Sequence, residues 1–317
     1  MKLYLLTAYS LKLIALIFIS LQPMYYIVYG LLYLLSLLPL RVLYILSDGL
    51  YVLVYHVFGY RRQVVMDNLQ LVFPEKTQAE RKKIAKKFYH NFIDSFIETI
   101  KMVSASDSYI AKRVSGNWEL LNELYKTGRS CQIHLGHTFN WEWANLVGAK
   151  AMNYTFLGVY MPIKNQAFDR LFKKLRAKSG SVLIPATEMR RNMMHWRHQQ
   201  YCIGLVADQA PSNPDKCFWL NFFGKITPFV NGPETGAHNG NIPVVFANIE
   251  KPRRGHYKVV LTLAEDQPAS LPKGQLTLRY ARYLENVIRQ QPDMWLWSHR
   301  RWKREWKEEY SKLVVHD

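Results

Sequence analysis

From Leu13 to Leu40 the chain carries no charged residue for 28 positions. As a helix this run would be ~42 Å long at ~1.5 Å per residue, and a bilayer core needs only ~20 apolar residues. It is too long for the apolar region of a signal peptide, and no clear small-residue cleavage site follows it. Pro23 can kink or divide it, giving either one tilted helix or a helix followed by an interfacial segment. After Arg41 comes a second apolar stretch, Val42 to Tyr60, interrupted by Asp48 and Gly49. It reads as a helix lying in the membrane interface or packing on the domain that follows. A buried hairpin in a soluble protein is the bland alternative. Residues 1–60 are therefore expected to be membrane anchor and interfacial helix, and 61–317 a single catalytic domain. Lys2 and Lys12 flank one side of the run and Arg41, Arg61 and Arg62 the other, so the positive-inside rule tips the C-terminal side towards the cytoplasm.

Charge narrows the partners. Forty-two Lys and Arg against 24 Asp and Glu leave a formal net charge of +18, which favours a membrane surface, a nucleic acid or an acidic protein. The long uncharged run argues for the membrane and against nucleic acid. Three cysteines (Cys131, Cys202 and Cys217) with no CxxC pair argue against a disulfide framework or a structural zinc site.

Beyond residue 61 the pattern is that of an α/β domain. Thr77-Gln-Ala-Glu80 is a capping box that starts a helix, and Ile84, Phe88, Phe92, Phe96 and Ile100 recur at helical spacing, which reads as core. Trp118 to Tyr125 reads as a short helix. Cys131–Leu135, Ser181–Ile184, Tyr201–Ala207, Ile242–Ile249 and Tyr257–Ala264 read as strands, alternating with helices over 140–150, 164–178, 187–199 and 274–291.

The chemistry gathers after the first of these strands, in His134-Leu-Gly-His137-Thr-Phe-Asn140-Trp-Glu142. Five steps on one helix turn through ~500°, so His137 and Glu142 meet only if His137 lies in the turn and Glu142 in the first turn of the helix. Gly136 and a capping Asn140 supply that layout. Glu142 is then expected to hold one imidazole nitrogen, leaving the other as a general base for an attacking hydroxyl. A histidine satisfied in a loop is the bland alternative, and a metal set of His134, His137 and Glu142 is disfavoured by its spacing. His195 and His198, set among arginines, read as a solvated face.

The sequence resembles the late acyltransferases of lipid A biosynthesis, the lauroyl and myristoyl transferases of the bacterial inner membrane. The resemblance runs in order through Leu38-Pro-Leu-Arg41, Gly59-Tyr-Arg-Arg62, Asn68-Leu69, Phe73-Pro74, His137-x4-Glu142, Ala207-Asp208-Gln209, Phe222-Phe223-Gly224 and Trp295-Leu-Trp297-Ser-His-Arg-Arg301. It implies an α/β acyltransferase core, a mixed sheet flanked by helices, behind an N-terminal anchor. It implies His137 as base with Glu142 as partner, and Arg176 (with Arg170 as the rival choice), Asp208, Gln209 and Asn140 as substrate-positioning residues. The donor is expected to be an acyl thioester of acyl carrier protein or coenzyme A, and the acceptor a hydroxyl of a lipid A precursor or of another membrane lipid. No cofactor or metal is expected. Phe139 stands where many members have glycine, and the Glu-Gly-Thr-Arg phrase of the glycerol-phosphate acyltransferases is absent. Four of the nine Trp lie between Trp295 and Trp306 among Arg and Lys; this segment reads as a headgroup-level belt, a carrier-protein dock, or an amphipathic helix packed into the core. A catalytically silent membrane or nucleic-acid-binding module remains the reading from a different class.

Overall fold

The computed structural model describes residues 25–316. The first part of the uncharged run, with Pro23, lies outside them. Within them the run continues as α1 (Tyr25–Leu37). Pro39 marks the break to α2 (Leu40–Tyr51), which passes into a π-helical stretch, Val52–Val57. Proline suits that break because its φ is fixed and it has no N–H to leave unpaired. Leu40–Val57 is long and apolar enough to cross a bilayer. One face of it, however, packs on the domain. The Tyr44 hydroxyl donates to Glu98 (2.6 Å) and that of Ser47 to Asp94 (2.7 Å). The opposite face exposes Ile45, Leu50, Leu53 and Val57.

Two helices carry this apolar layer on to the core: α3 (Arg62–Val72) and the long α4 (Gln78–Lys101). The capping box forms as the sequence implies, with the Thr77 N–H donating to Glu80 (2.7 Å) and the Glu80 N–H to the Thr77 hydroxyl (3.3 Å). The aromatic stripe of α4 is not simply core. Phe88 is buried, but Phe92 is only partly covered and Phe96 is exposed. Asp94, also on α4, is buried and receives Ser47 from α2 together with Lys251 (3.1 Å) and Arg254 (2.7 Å).

After α5 (Asp107–Ala111) the chain builds a seven-stranded sheet from β1 (Val114–Gly116), β2 (Cys131–Leu135), β3 (Thr155–Tyr160), β4 (Val182–Pro185), β5 (Tyr201–Val206), β8 (Val244–Arg253) and β9 (His256–Glu265). Its order is β1-β9-β8-β2-β5-β3-β4. Strands β8, β2, β5, β3 and β4 run parallel, while β9 pairs antiparallel with β8. The sheet is therefore mixed, and α6 (Glu119–Lys126), α7 (Trp141–Ala151), α8 (Gln166–Ala177), α9 (Met189–Met193), α10 (Gly232–Gly240) and α11 (Gln275–Gln290) join and cover its strands. A separate hairpin, β6 (Cys217–Phe222) and β7 (Lys225–Val230), completes the fold.

Several elements differ from the sequence reading. The pattern did not single out β3, whose run is interrupted by Gly158, a residue that weakens a strand signal. The β6–β7 hairpin turns on Phe223 and Gly224, both at positive φ (53° and 77°). That geometry usually advertises itself by Asn-Gly, and phenylalanine hides it. The helix expected over 187–199 is only the five residues of α9 flanked by 3-10 turns; its Met193 and Trp196 are spaced by three, which suits the tighter winding. In the C-terminal segment, Trp295 and Trp297 are buried and only Trp306 is exposed, so most of that segment is packed structure and not a headgroup belt.

Because Asp94 meets two cations in a largely buried setting, removing it takes from Lys251 its carboxylate partner and from Arg254 one of two. Asp94→Ala is expected to destabilise the protein by about 3 kcal/mol, the low end for breaking a buried ion pair because Arg254 keeps its second partner Asp48. Denaturant unfolding of the two proteins in the same detergent measures it.

Candidate active site

The register of two neighbouring strands sets up the site. Strands β2 and β5 are parallel, with Leu135 opposite Val206. Two residues past each of these lie His137 and Asp208, so the same offset brings them together outside the carboxyl ends of the strands, where α/β sites gather. The His137 Nδ1–Asp208 Oδ1 distance is 2.5 Å, and the His137 backbone N–H donates to Oδ2 (2.8 Å). The close approach needs Gly136: a Cβ there would lie 2.7 Å from Leu284 Cδ1 and 3.3 Å from Asp208 Oδ2. Trp295 adds a third donor to Asp208, through Nε1 at 2.6 Å. Burial pushes the Asp208 carboxyl up, but the charge and hydrogen bonds of His137, with the Trp295 bond, outweigh it and hold the group down at about 2.

These bonds fix the tautomer of His137. Nδ1 carries the proton given to Asp208, and Nε2 is the acceptor, 3.1 Å from the Gln209 amide nitrogen. The imidazole is held from below and presents its basic nitrogen outward.

Glu142 does not touch His137, which corrects the pairing read from the sequence. Asn140 caps α7, accepting from the Trp143 N–H (3.2 Å), and so puts Glu142 in the first turn. From there its carboxylate faces α8. Arg176 Nε lies 3.1 Å from both of its oxygens and Nη2 lies 2.5 Å from Oε1. The Trp141 indole N–H also donates to it (3.1 Å). A guanidinium offers a carboxylate two parallel donors and an imidazole only one, and β5 has already supplied His137 with a partner. Arg176, of the two candidate arginines, meets the site; Arg170 lies over the Tyr25 ring, 4.3 Å from its centroid.

Two further expectations change. Asn140 is buried, and its amide donates to Glu98 (2.8 Å). Asp208 is 1% exposed with its oxygens fully engaged. Both side chains are closed off from solvent: Asn140 caps α7 and donates to Glu98, and Asp208 holds His137. Gln209 does stand beside the basic nitrogen, and Arg176 borders a cleft of about 170 Å³. This cleft is lined by Phe92, Phe96, Phe139, Ile163 and Phe172, with Trp141 and Glu142 on its wall. Trp141 links it to His137, the two rings lying 5.8 Å apart.

Residues beyond this set were missed. The segment after α11 braces both site loops: the Leu296 N–H donates to His137 O (3.1 Å), the Phe139 N–H to Met294 O (3.2 Å), and the Ala210 N–H to His299 Nε2 (3.0 Å). Burial, and then the Arg301 charge, push His299 down to about 4, which keeps its acceptor nitrogen free of a proton. The signal was present in Trp295-Leu-Trp297-Ser-His299, but its Trp and Arg content drew attention to surfaces.

Acid should loosen the site in two windows. A His of ordinary pKa ~6.5 and an Asp of ~3.9 are both depressed here, so each contributes stability above its unfolded value and loses it as pH falls through the folded one. His299 thus acts between pH ~6.5 and about 4, and Asp208 between ~3.9 and about 2. Unfolding free energy measured against pH should fall across both ranges, and His299→Gln should flatten the upper one alone.

Comparison with known proteins agrees with this architecture. The chain is 25% identical over 292 residues, 89% of its length and 93% of the relative, to the lipid A biosynthesis lauroyltransferase of Escherichia coli (strain K12). Residues 19–304 match the family described as bacterial lipid A biosynthesis acyltransferase. With that match covering most of its length, the chain belongs to the bacterial lipid A biosynthesis acyltransferases.

Proposed function

We propose that the protein transfers a fatty acyl chain from an acyl thioester, on acyl carrier protein or coenzyme A, to a hydroxyl of a lipid A precursor at the cytoplasmic face of the bacterial inner membrane, with residues 1–60 as the anchor. The observation that carries the reading is the His137–Asp208 pair at adjacent strand ends, joined through the Trp141 ring to an apolar cleft.

In the reaction the acceptor hydroxyl replaces the Gln209 amide at His137 Nε2. Its proton passes to Nε2 as its oxygen forms a bond to the thioester carbonyl carbon. The C–S bond then breaks and the departing thiolate takes the proton back from the imidazolium. Asp208 steadies the imidazolium by its buried charge and holds the ring in place. The acyl chain lies among the phenylalanines of the cleft. Glu142 has a different task from the one its spacing suggests: it fixes Arg176, whose third nitrogen, Nη1, is left to bind an oxygen of donor or acceptor.

The test is acyl transfer by the purified protein in detergent, with a lipid A precursor and a lysophospholipid as acceptors and both thioester donors. His137→Ala and Asp208→Asn should each cost at least ~10²-fold in kcat, the low end for loss of a general base. Glu142→Gln should act mainly through KM, because it disturbs Arg176 and leaves the base in place. Full transfer by His137→Ala removes the mechanism. Transfer to the lysophospholipid alone moves the protein to another acceptor class.

A further inference from the structure

The loops that follow β2, β3, β4 and β5 all leave one edge of the sheet, because these strands are parallel. Two of them carry the base and its carboxylate. The other two, after β3 and β4, are unlike ordinary loops. The first runs Met161-Pro-Ile163-Lys164 into α8 and holds apolar side chains in the open: Met161 is 67% exposed, and Ile163 and Phe168 are exposed as well. The second leads into α9, whose Arg190 and Arg191 are exposed. From 161 to 199 there are nine Lys and Arg against two acids, +7 of the chain's +18.

This surface joins the apolar helices. Helix α8 lies against α1, with Arg170 over Tyr25 (4.3 Å) and Lys174 over Tyr29 (4.1 Å). The outward side chains of α1, Ile27, Leu31 and Leu34, are exposed. The cleft ends at the same place. Two of its lining residues, Ile163 and Phe96, are also exposed, Phe96 to 51%, and so they mark its mouth. An opening framed by bare Met, Ile and Phe would face water only at a cost, and apolar tips set among cations are the pattern that sinks into anionic lipid.

We propose that Met161–Phe168 is a second membrane contact, beside the anchor helices, which dips into an anionic bilayer so that the cleft opens into hydrocarbon. Lys164, Arg190 and Arg191 meet the lipid phosphates while Met161, Ile163 and Phe168 enter below them. The lipid acceptor then reaches the mouth of the cleft sideways from the bilayer. The inference rests on the acyl-transfer reading only for what passes the mouth, and the contact is testable without any turnover.

The three native cysteines are buried, so a thiol introduced by Met161→Cys in the full chain takes a polarity-sensitive dye cleanly. Glu123→Cys, at an exposed position of α6, serves as the control. Both are reconstituted into vesicles of phosphatidylcholine with phosphatidylglycerol, with or without bromine on the acyl chains. The dye at 161 should shift to the blue and be quenched by the brominated chains at least several-fold more than the dye at 123. The triple change Lys164→Glu, Arg190→Glu, Arg191→Glu should abolish that difference. A dye at 161 as wet and as unquenched as the control overturns the proposal. So does shielding that appears only when acyl carrier protein is added, which would give the surface to the carrier. Because the readout is position in the bilayer, either result leaves the chemistry of His137 to its own assay.

Discussion

A carboxylate buried as deeply as that of Asp208 stays charged only if donors surround it, and the surroundings of this site follow from that demand. His137 answers with a ring N–H and a backbone N–H, and Trp295 with an indole N–H. The donors come from two stretches of chain, one after β2 and one after α11, both remote in sequence from Asp208. To bring them together the fold needs the β2–β5 register, a residue without a side chain at Gly136, and the segment after α11 drawn back across the strand ends. The isolated β-bridge between Thr138 and Trp295 is the mark of that return. In exchange, the imidazole has one tautomer and one orientation, both set by Asp208.

A second buried carboxylate ties the apolar helices to the same site. Glu98 accepts from Tyr44 of α2 (2.6 Å), from Tyr257 of β9 (2.5 Å) and from Asn140 (2.8 Å), while its backbone carbonyl accepts from the Trp143 indole (2.9 Å). Burial pushes this carboxyl up against the pull of its donors. The cap that starts α7, and with it the position of Glu142 and Trp141, therefore rests on the same group that fastens α2. Asp94, one turn earlier on α4, fastens α2 to the β8–β9 turn. Among the described residues, the apolar helix α2 is built into the α/β domain by these two carboxylates.

Much was legible in the sequence because it depends on local pattern. The capping box at Thr77, strands β2, β5, β8 and β9, and helices α7, α8 and α11 all announce themselves by periodicity and capping residues within a few positions. The hairpin at Phe223-Gly224 and strand β3 did not, because their conformations are imposed by what they pair with. The aromatic stripe of α4 was read correctly as one helical face, but not as a face shared between core and cleft.

The site shows the same division. The sequence alone determined that His137 sits in a strand-to-helix turn, that Asn140 caps the helix, and that Glu142 lies in its first turn, since each is a matter of steps along one chain. It also carried Asp208 at the end of another strand. Which carboxylate takes His137 was beyond it. Spacing along a chain favours the near acid, whereas a parallel register between strands 71 residues apart delivers the far one, and only the tertiary structure decides between them. Arg176 then claims Glu142 because α8 crosses in front of it, a fact of packing that no spacing in the sequence encodes.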